Sequence, residues 1–551
     1  MKSRDWYAQV KEYTEKLVAL RGVSPSSDEI AVAEEILSLL CADDLGERYT
    51  ACGLDALDND PYGRQNVYAF LRGASPQTVV LLGHFDTVAT LDYGTLEPLA
   101  LDPVALAEHK AALLPVSEAE ADFSDWMFGR GAADMKSGIA VHIALMRHLV
   151  QMSDSQPYPL SILLLATADE ENESAGILHA IPMLLRLRER YNLDYVGALN
   201  TDYITSLYPG DETRYIYAGS IGKLLPAFLC VGCESHAGDP FRGLDVNLLA
   251  AELIRDLSMN DELCDSVPGQ LAAPPVTLRA TDLKSHYDVQ LPLMSYFYLN
   301  LLILTTTPHD LLTRLCQRVE NVMTQLLQRI DETEQRWQLA SGTLDWPERV
   351  QKRVGTVYRY ADLYAAMVQK FGQERVAREL ATEQERWSNT VDRRELCMHL
   401  TQRLWQLSGQ PGPAVIIFYA PPYYPALAPV AGPLQSAVDA VVAAHPEIQL
   451  EQRPFFPSIS DMSYLGLDPD QDQSALEANL PIWQTDSVPA RAGAYHLPLA
   501  EMQRLNIPVI NWGPFGRGAH QHDEAVLMPY SFGILPQLLL ETLEHLAASS
   551  I

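Results

Sequence analysis

The 551-residue chain carries 71 acidic against 40 basic residues, a formal charge of −31 and a pI near 4.7. Such a field repels phosphate backbones and anionic lipid, which argues against nucleic-acid and membrane partners. With 47% hydrophobic and 20% charged residues the usage is that of an ordinary globular protein, too long for one core, and several domains are expected.

The opening stretch MKSRDWYAQVKEYTEK is broken by charges where an export signal would run apolar. Seven cysteines scattered from Cys41 to Cys397 do not make the dense, even framework of a secreted scaffold, so a reducing, cytoplasmic setting is expected. Apolar runs then alternate with helical patterns, predicting strands at 66–71, 78–83, 160–167 and 196–200. A helix capped by Ser137 is predicted to about Met152, and another over about Ala175–Tyr191. This alternation marks α/β architecture, a mostly parallel sheet covered by helices.

From about 213 to 428 the character changes, with strand-like runs such as LLPAFLCVG and AVIIFYA bracketing a long helical region. Within it Leu312, Leu315, Val319, Val322, Leu326 and Ile330 recur at helical spacing, a stripe that core packing explains. The Cys230/Cys233 pair has no second CxxC and reads as core. The apolar run Leu291 to Leu304 is too short for a bilayer and reads as a buried strand. After about 429 the α/β pattern returns, with a helix at 433–445 and a strand at 507–512. Residues 1–212 and 429–551 are therefore expected to form one domain around an insertion at 213–428.

Ligands of open α/β sheets gather at the carboxyl ends of strands, so the polar residues that follow each apolar run matter most. They are His84 and Asp86 after TVVLLG, Asp134 after MFGRGAA, Glu170 and Glu171 after SILLLATAD, Asp202 after VGALNT, and His520 after VINWGPFGRGA. Singly, each has a structural explanation as a capping or solvated residue. Together they bring two imidazoles and at least four carboxylates to one edge, where the negative charges repel one another unless divalent cations intervene. Mixed nitrogen and oxygen donors suit zinc, cobalt or manganese. Asp86 can take the second imidazole N–H of His84. Of the neighbours Glu170 and Glu171, one can bind metal while the other faces substrate as a general base. Gly131 and Gly138 flank Asp134 and permit a tight strand-to-helix turn.

The motifs GHFDTV, GRGAADMKSG, ATADEENESAG, NTD and GAHQHDE, in this order, resemble the zinc-dependent metallopeptidase family of acetylornithine deacetylase, succinyl-diaminopimelate desuccinylase, aminoacylases and carboxypeptidase G. The resemblance implies a phosphorylase/hydrolase-like, mostly parallel-sheet catalytic domain with an inserted α+β lid, or dimerisation, domain. It further implies that Asp134 bridges two metal ions, that His84 and Asp202 complete one site and Glu171 and His520 the other. Glu170 then falls on the general base, and a cis peptide is implied at Asp134–Met135. His520 is preferred over its rival His522, because it follows Ala519 and leaves Glu524 at the family's acidic position. CVGCESHAGDPFRGLDVN matches the lid stretch whose histidine contacts substrate, here His236, supplied within the chain or across a homodimer.

In the lid, Leu302 of YLNLLI stands where an arginine is common in the family, so a carboxylate-binding arginine does not carry over. The long lid and the YAPPYYP segment are similar to the bacterial arginine-utilisation branch, which implies a place in amino-acid catabolism. The expected activity is hydrolysis of an amide or peptide C–N bond in a small N-acyl amino acid or short peptide, by a water held between the metals and deprotonated by Glu170. The alternative is a non-catalytic binding or regulatory protein that keeps the fold, for which loss of Glu170 or of a ligand would be the mark. A phosphoesterase on the same two-metal logic lacks an evident basic cluster.

Overall fold

A computed structural model describes residues 5–109, 113, 123–153, 156–342, 353–468, 472–484 and 492–549. The chain divides into two compact units: Met1–Ile221 with Pro425–Asp468 and Pro498–Ile551, and Gly222–Tyr424 with Pro469–Leu497.

The first unit is built on an eight-stranded sheet. Its strands in chain order are β1 (Ala51–Ala56), β2 (Gln65–Leu71), β3 (Gln77–His84), β4 (Ser161–Thr167), β5 (Asp194–Asn200), β6 (Arg214–Tyr217), β7 (Leu450–Arg453) and β8 (Val509–Asn511). Their order across the sheet is β1-β2-β4-β3-β5-β8-β6-β7. The centre is parallel, since β4, β3, β5 and β8 run the same way, and antiparallel pairs join β1 to β2, β2 to β4 and β8 to β6. β3 and β4 read as continuous apolar runs because both their faces are buried, β4 along its whole length. The helix Lys136–Met152 is buried nearly all round, with Trp6–Val18 and Leu535–Ser549 packed on it.

Register decides where the strands stop. His84 lies beside Thr167, Leu82 beside Asn200 and Asn511 beside Asn200, so the carboxyl ends of four parallel strands finish together. A small sheet adds to this edge: Gly516–Arg517 pairs with Ala525–Leu527, which pairs with Trp126–Phe128. It joins the segment that leads into Asp134 to the loop that carries His520.

The second unit holds a five-stranded sheet in the order Val276–Asp282, Met294–Ile303, Gly222–Val231, Ala414–Tyr424, Thr356–Arg359, antiparallel except for the last pair. Among the described residues six α-helices belong to this unit, the longest being Pro308–Ser341. The expected stripe on this helix is shifted: Met323 and Leu327 are buried where Val322 and Ile330 are only half so. A helix of 3.6 residues per turn drifts away from a strict seven-residue repeat, which carries the buried face round over this length.

The division differs from that expected at 212/213 and 428/429. β6 pairs with β7 and so keeps residues 213–221 with the first unit. Residues 469–497 belong to the second, where Asn479 Oδ1 accepts from the Ala361 amide and the Tyr495 hydroxyl from the Tyr423 amide. Among the described residues no helix is long and apolar enough to cross a membrane.

Candidate active site

Each strand end of the first unit delivers one part of the site. β3 ends on His84, whose Nε2 lies 3.1 Å from Asp134 Oδ1 and 3.9 Å from Glu170 Oε2. Asp134 sits in the turn between the small sheet and the helix Lys136–Met152. Gly131 takes φ +79° at this turn, and the Asp134–Met135 peptide is cis, as the resemblance implies. A side chain at Gly138 would strike the Thr201 carbonyl, so glycine lets this helix approach the segment that leads to Asp202.

The loop after β4 carries Glu170 and Glu171 on adjacent residues, and β5 leads into Asp202. His520, at φ +63°, places its Nε2 at 2.9 Å from Glu171 Oε1 and 3.4 Å from Asp134 Oδ2. His522 is exposed. Two groups of donor atoms result, His84/Asp134/Asp202 and Asp134/Glu171/His520, each with its atoms within 4.8 Å of one another. Asp134 belongs to both, one oxygen toward each imidazole.

Asp86 meets the other side of His84, with Oδ1 at 3.5 Å and its carbonyl oxygen at 3.3 Å from Nδ1. Its carboxylate does more than orient the ring, because Oδ1 accepts the Glu170 amide at 3.1 Å and Oδ2 the Glu171 amide at 3.0 Å. One buried side chain therefore holds the backbone of both glutamates.

His236 lies in the second unit, exposed, with Nδ1 accepting from the Gly238 amide.

The site is charged against its own burial. Burial pushes the Glu170 carboxyl well above the usual carboxylate range, and the charges of Glu171, Asp461 and Asp202 add to this against the pull of His84. Burial likewise raises Asp202 well above its ordinary value and raises Glu171, in both cases helped by Asp134. Asp134 is held below the ordinary value despite its burial, by His520 and His84. His520 is raised to about 11 by its bonds to Asp134 and Glu171, and His84 is raised although burial opposes its charge, because Glu170, Asp134 and Asp86 surround it. Two imidazoles do not offset this many carboxylates. A shared carboxylate between two mixed His/carboxylate groups is a donor set that fits a pair of divalent cations.

Two further layers lie behind these residues, of which the motifs mark only Glu524. Glu524 is 1% exposed; its Oε1 accepts the Ala133 and Asp134 amides, and its Oε2 lies 2.7 Å from Arg130 Nη1, while Arg130 also pairs with Asp92. Arg64 is buried among Asp60, Glu29 and Asp169, and Glu29 accepts the Asp169 amide at 2.9 Å. The one available signal was an arginine beside a glycine-rich or acidic motif, which is too common to single out.

The family model "Peptidase family M20/M25/M40" matches residues 80–471. Protein RocB of Bacillus subtilis (strain 168) is 32% identical over 98% of this chain and 95% of its own length. Protein YqjN of the same organism is 30% identical over 97% and 95%. Among solved structures, a tripeptidase from Staphylococcus aureus subsp. aureus mu50 shares the fold, with a TM-score of 0.50 at 12% identity, covering 98% of this chain and 99% of that one. A family match across most of the chain, together with relatives aligned over nearly their full length, establishes that this chain belongs to the peptidase family M20/M25/M40.

Proposed function

We propose that the chain hydrolyses an amide or peptide C–N bond in a small N-acyl amino acid or short peptide, with Glu170 as general base. The observation that carries this reading is the shared carboxylate of Asp134 between the two donor groups, with the Glu170 carboxylate beside His84. His84, Asp134 and Asp202 would hold one divalent cation and Asp134, Glu171 and His520 the other, zinc being the first choice and cobalt or manganese suiting the same donors. When bound, such a pair supplies Lewis-acid polarisation of the scissile carbonyl and lowers the pKa of water.

Glu170 takes the proton of the attacking water and returns it to the departing amine. Burial raises the proton affinity of the Glu170 carboxyl, the direction that a proton-accepting group needs. Asp86 orients His84 and fixes the amides of residues 170 and 171, so that the base and the neighbouring ligand keep separate tasks. His236 is assigned the hydrogen bond to the developing oxyanion, from its own chain or from a homodimer partner. Mixing His236→Ala with Glu170→Gln subunits separates these cases, since activity returns only if the histidine crosses between chains. Seven free cysteines support a reducing cytoplasm, and the net charge of −31 supports a reading without nucleic-acid or membrane partners. The narrower resemblance to the arginine-utilisation branch supports a place in amino-acid catabolism.

The deciding experiment is Glu170→Gln, assayed against a panel of N-acetyl amino acids, dipeptides and phosphoesters with and without chelator. Metal stoichiometry should stay at the wild-type value while turnover falls at least ~10²-fold. Loss of metal with activity would make Glu170 a ligand, and a variant as active as wild type would remove it from the mechanism.

A further inference from the structure

Asp461 belongs to neither donor group. It is 2% exposed and opens the short turn Asp461–Leu465, in the stretch Pro425–Asp468 that belongs to the first unit. Its Oδ2 accepts from the Thr167 hydroxyl at 2.6 Å, and the Ser174 hydroxyl bonds to the same carboxylate. Thr167 ends β4, and Ser174 immediately precedes the helix Ala175–Tyr191. The segment between them is the loop that carries Glu170 and Glu171, so both ends of that loop are tied to one buried side chain.

The Thr167 hydroxyl also lies 3.2 Å from the Gly83 carbonyl, but it has one proton, and the shorter, charge-assisted bond to the carboxylate is the stronger. The preceding residue extends the tie. Ser460 Oγ accepts from Asn200 Nδ2 at 3.1 Å, Asn200 donates in turn to Asn511 Oδ1, and Asn511 bonds both the amide and the carbonyl of Asp202. Ser460 and Asp461 thus reach the ends of β5 and β4, the two strands that lead to Asp202 and to the glutamates.

We propose that Asp461 is a positioning residue that clamps the 168–173 loop at both ends. This rests on the reading of Glu170 as base. Asp86 holds the middle of the loop by the amides of residues 170 and 171, and Asp461 holds its hinges, so the two adjacent glutamates cannot trade places by a rotation of the loop. Such a site tolerates displacements of only ~0.5 Å. Burial raises the Asp461 carboxyl to about 7, against the lowering pull of its bonds to Thr167 and Ser174.

Amide hydrogen exchange of the full-length chain, metal-free and zinc-loaded, tests the clamp in Asp461→Ala, Asp461→Asn, Thr167→Val and the Asp461→Ala/Thr167→Val double variant. In Asp461→Ala, which loses the bonds of both Thr167 and Ser174, exchange across 168–174 should quicken at least ~10-fold, the lower scale of a single lost charge-assisted hydrogen bond. Peptides from β1 and β2 should be unchanged. Asp461→Asn, which keeps an acceptor oxygen, should restore most of the protection, and Thr167→Val should add little in the alanine background. On the substrates that the wild type cleaves in the N-acetyl amino acid and dipeptide panel, kcat should fall by a similar factor with KM little changed. Unaltered exchange in Asp461→Ala, a rise spread over the whole sheet, or additive effects of Asp461→Ala and Thr167→Val would each overturn the proposal. If Asp461→Ala does not fold, Thr167→Val against Asp461→Asn decides by the same loop-confined change. A fully active Glu170→Gln removes the base assignment whatever the exchange shows, whereas an inactive Glu170→Gln with normal exchange in Asp461→Ala removes the clamp alone.

Discussion

Asp265 of the second unit and the crowded acids of the candidate site in the first are buried in opposite ways. In the second unit, Asp265 is 8% exposed and accepts the amides of Leu304, Thr305 and Thr306 through one oxygen, at 2.7–2.8 Å. Although burial opposes its charge, those amides hold its pKa below the ordinary carboxylate value. In the first unit, Glu170 and Asp202 are buried beside other carboxylates and their pKa values are driven up. A buried acid satisfied by backbone amides serves the fold, while acids crowded against one another store an unmet demand for positive charge.

The sharpest break in this comparison is Asp134→Asn. Both donor groups lose the charge of their shared carboxylate, so metal content should fall at both positions. Turnover should drop further than the ~10²-fold expected for Glu170→Gln, as read by elemental analysis and steady-state kinetics. Unchanged metal content would end the bridging assignment.

Next in size is Asp265→Ala, which leaves the three amides on Oδ2, and that of Ser266 on Oδ1, without their acceptor. Unfolding of the second unit should be easier by at least about 4.5 kcal/mol, the low end for three bonds at roughly 1.5–3 kcal/mol each to a charged group, with metal content unchanged. The pH course has a definite sign. Because the folded pKa lies below the unfolded one, this stabilisation is complete above the ordinary carboxylate value and is lost as pH falls through the folded value. Denaturant titrations between pH 7 and 3 should therefore show a shallower acid decline in the variant.

Glu524→Gln probes the support beneath Asp134. It keeps an acceptor for the Ala133 and Asp134 amides but removes the charge paired with Arg130. Metal affinity should weaken ~10–100-fold, the usual cost of altering a partner of a ligand, measured by competition with a chelator. The smallest effect belongs to the apolar sheet of the second unit, where Phe228 and Phe297 stack with centroids 4.5 Å apart. Phe297→Leu should cost roughly 1–2 kcal/mol of stability and leave metal affinity within error. A change in metal affinity there would blur the contrast between the units.

Much of the fold was legible because burial on both faces writes β3 and β4 as uninterrupted apolar runs, and the predicted strands at 78–83 and 160–167 fall within a residue of the observed ends. The gathering of His84, Asp134, Glu171, Asp202 and His520 at one edge follows from the same signal, a polar residue just past an apolar run. The path of residues 469–497 was not legible, since a chain that recrosses between units leaves no mark in periodicity. Nor were Asp461 and Arg130, or the reach of Arg64 beyond nearby Asp60 to Asp169, because these partners lie far away in sequence; Thr167 and Asp461 are 294 residues apart. The double duty of Asp86 was half visible: its place beside His84 could be read, but its grip on two backbone amides depends on how the next strand ends.

The two donor groups also differ in when they come into being. His84, Asp134 and Asp202 leave the ribosome close together, before any of the second unit is made. Glu171 and His520 are 349 residues apart, which at 5–20 residues per second is a delay on the order of 20–70 s. β8, which separates β5 from β6, arrives in the same late stretch. For that interval the nascent chain has made all three residues of one donor group, while Glu171 has been made without its imidazole and Arg130 without Glu524. The residues of one half of the constellation are thus made early in synthesis, and the other half is complete only after the last strand of the sheet has been made.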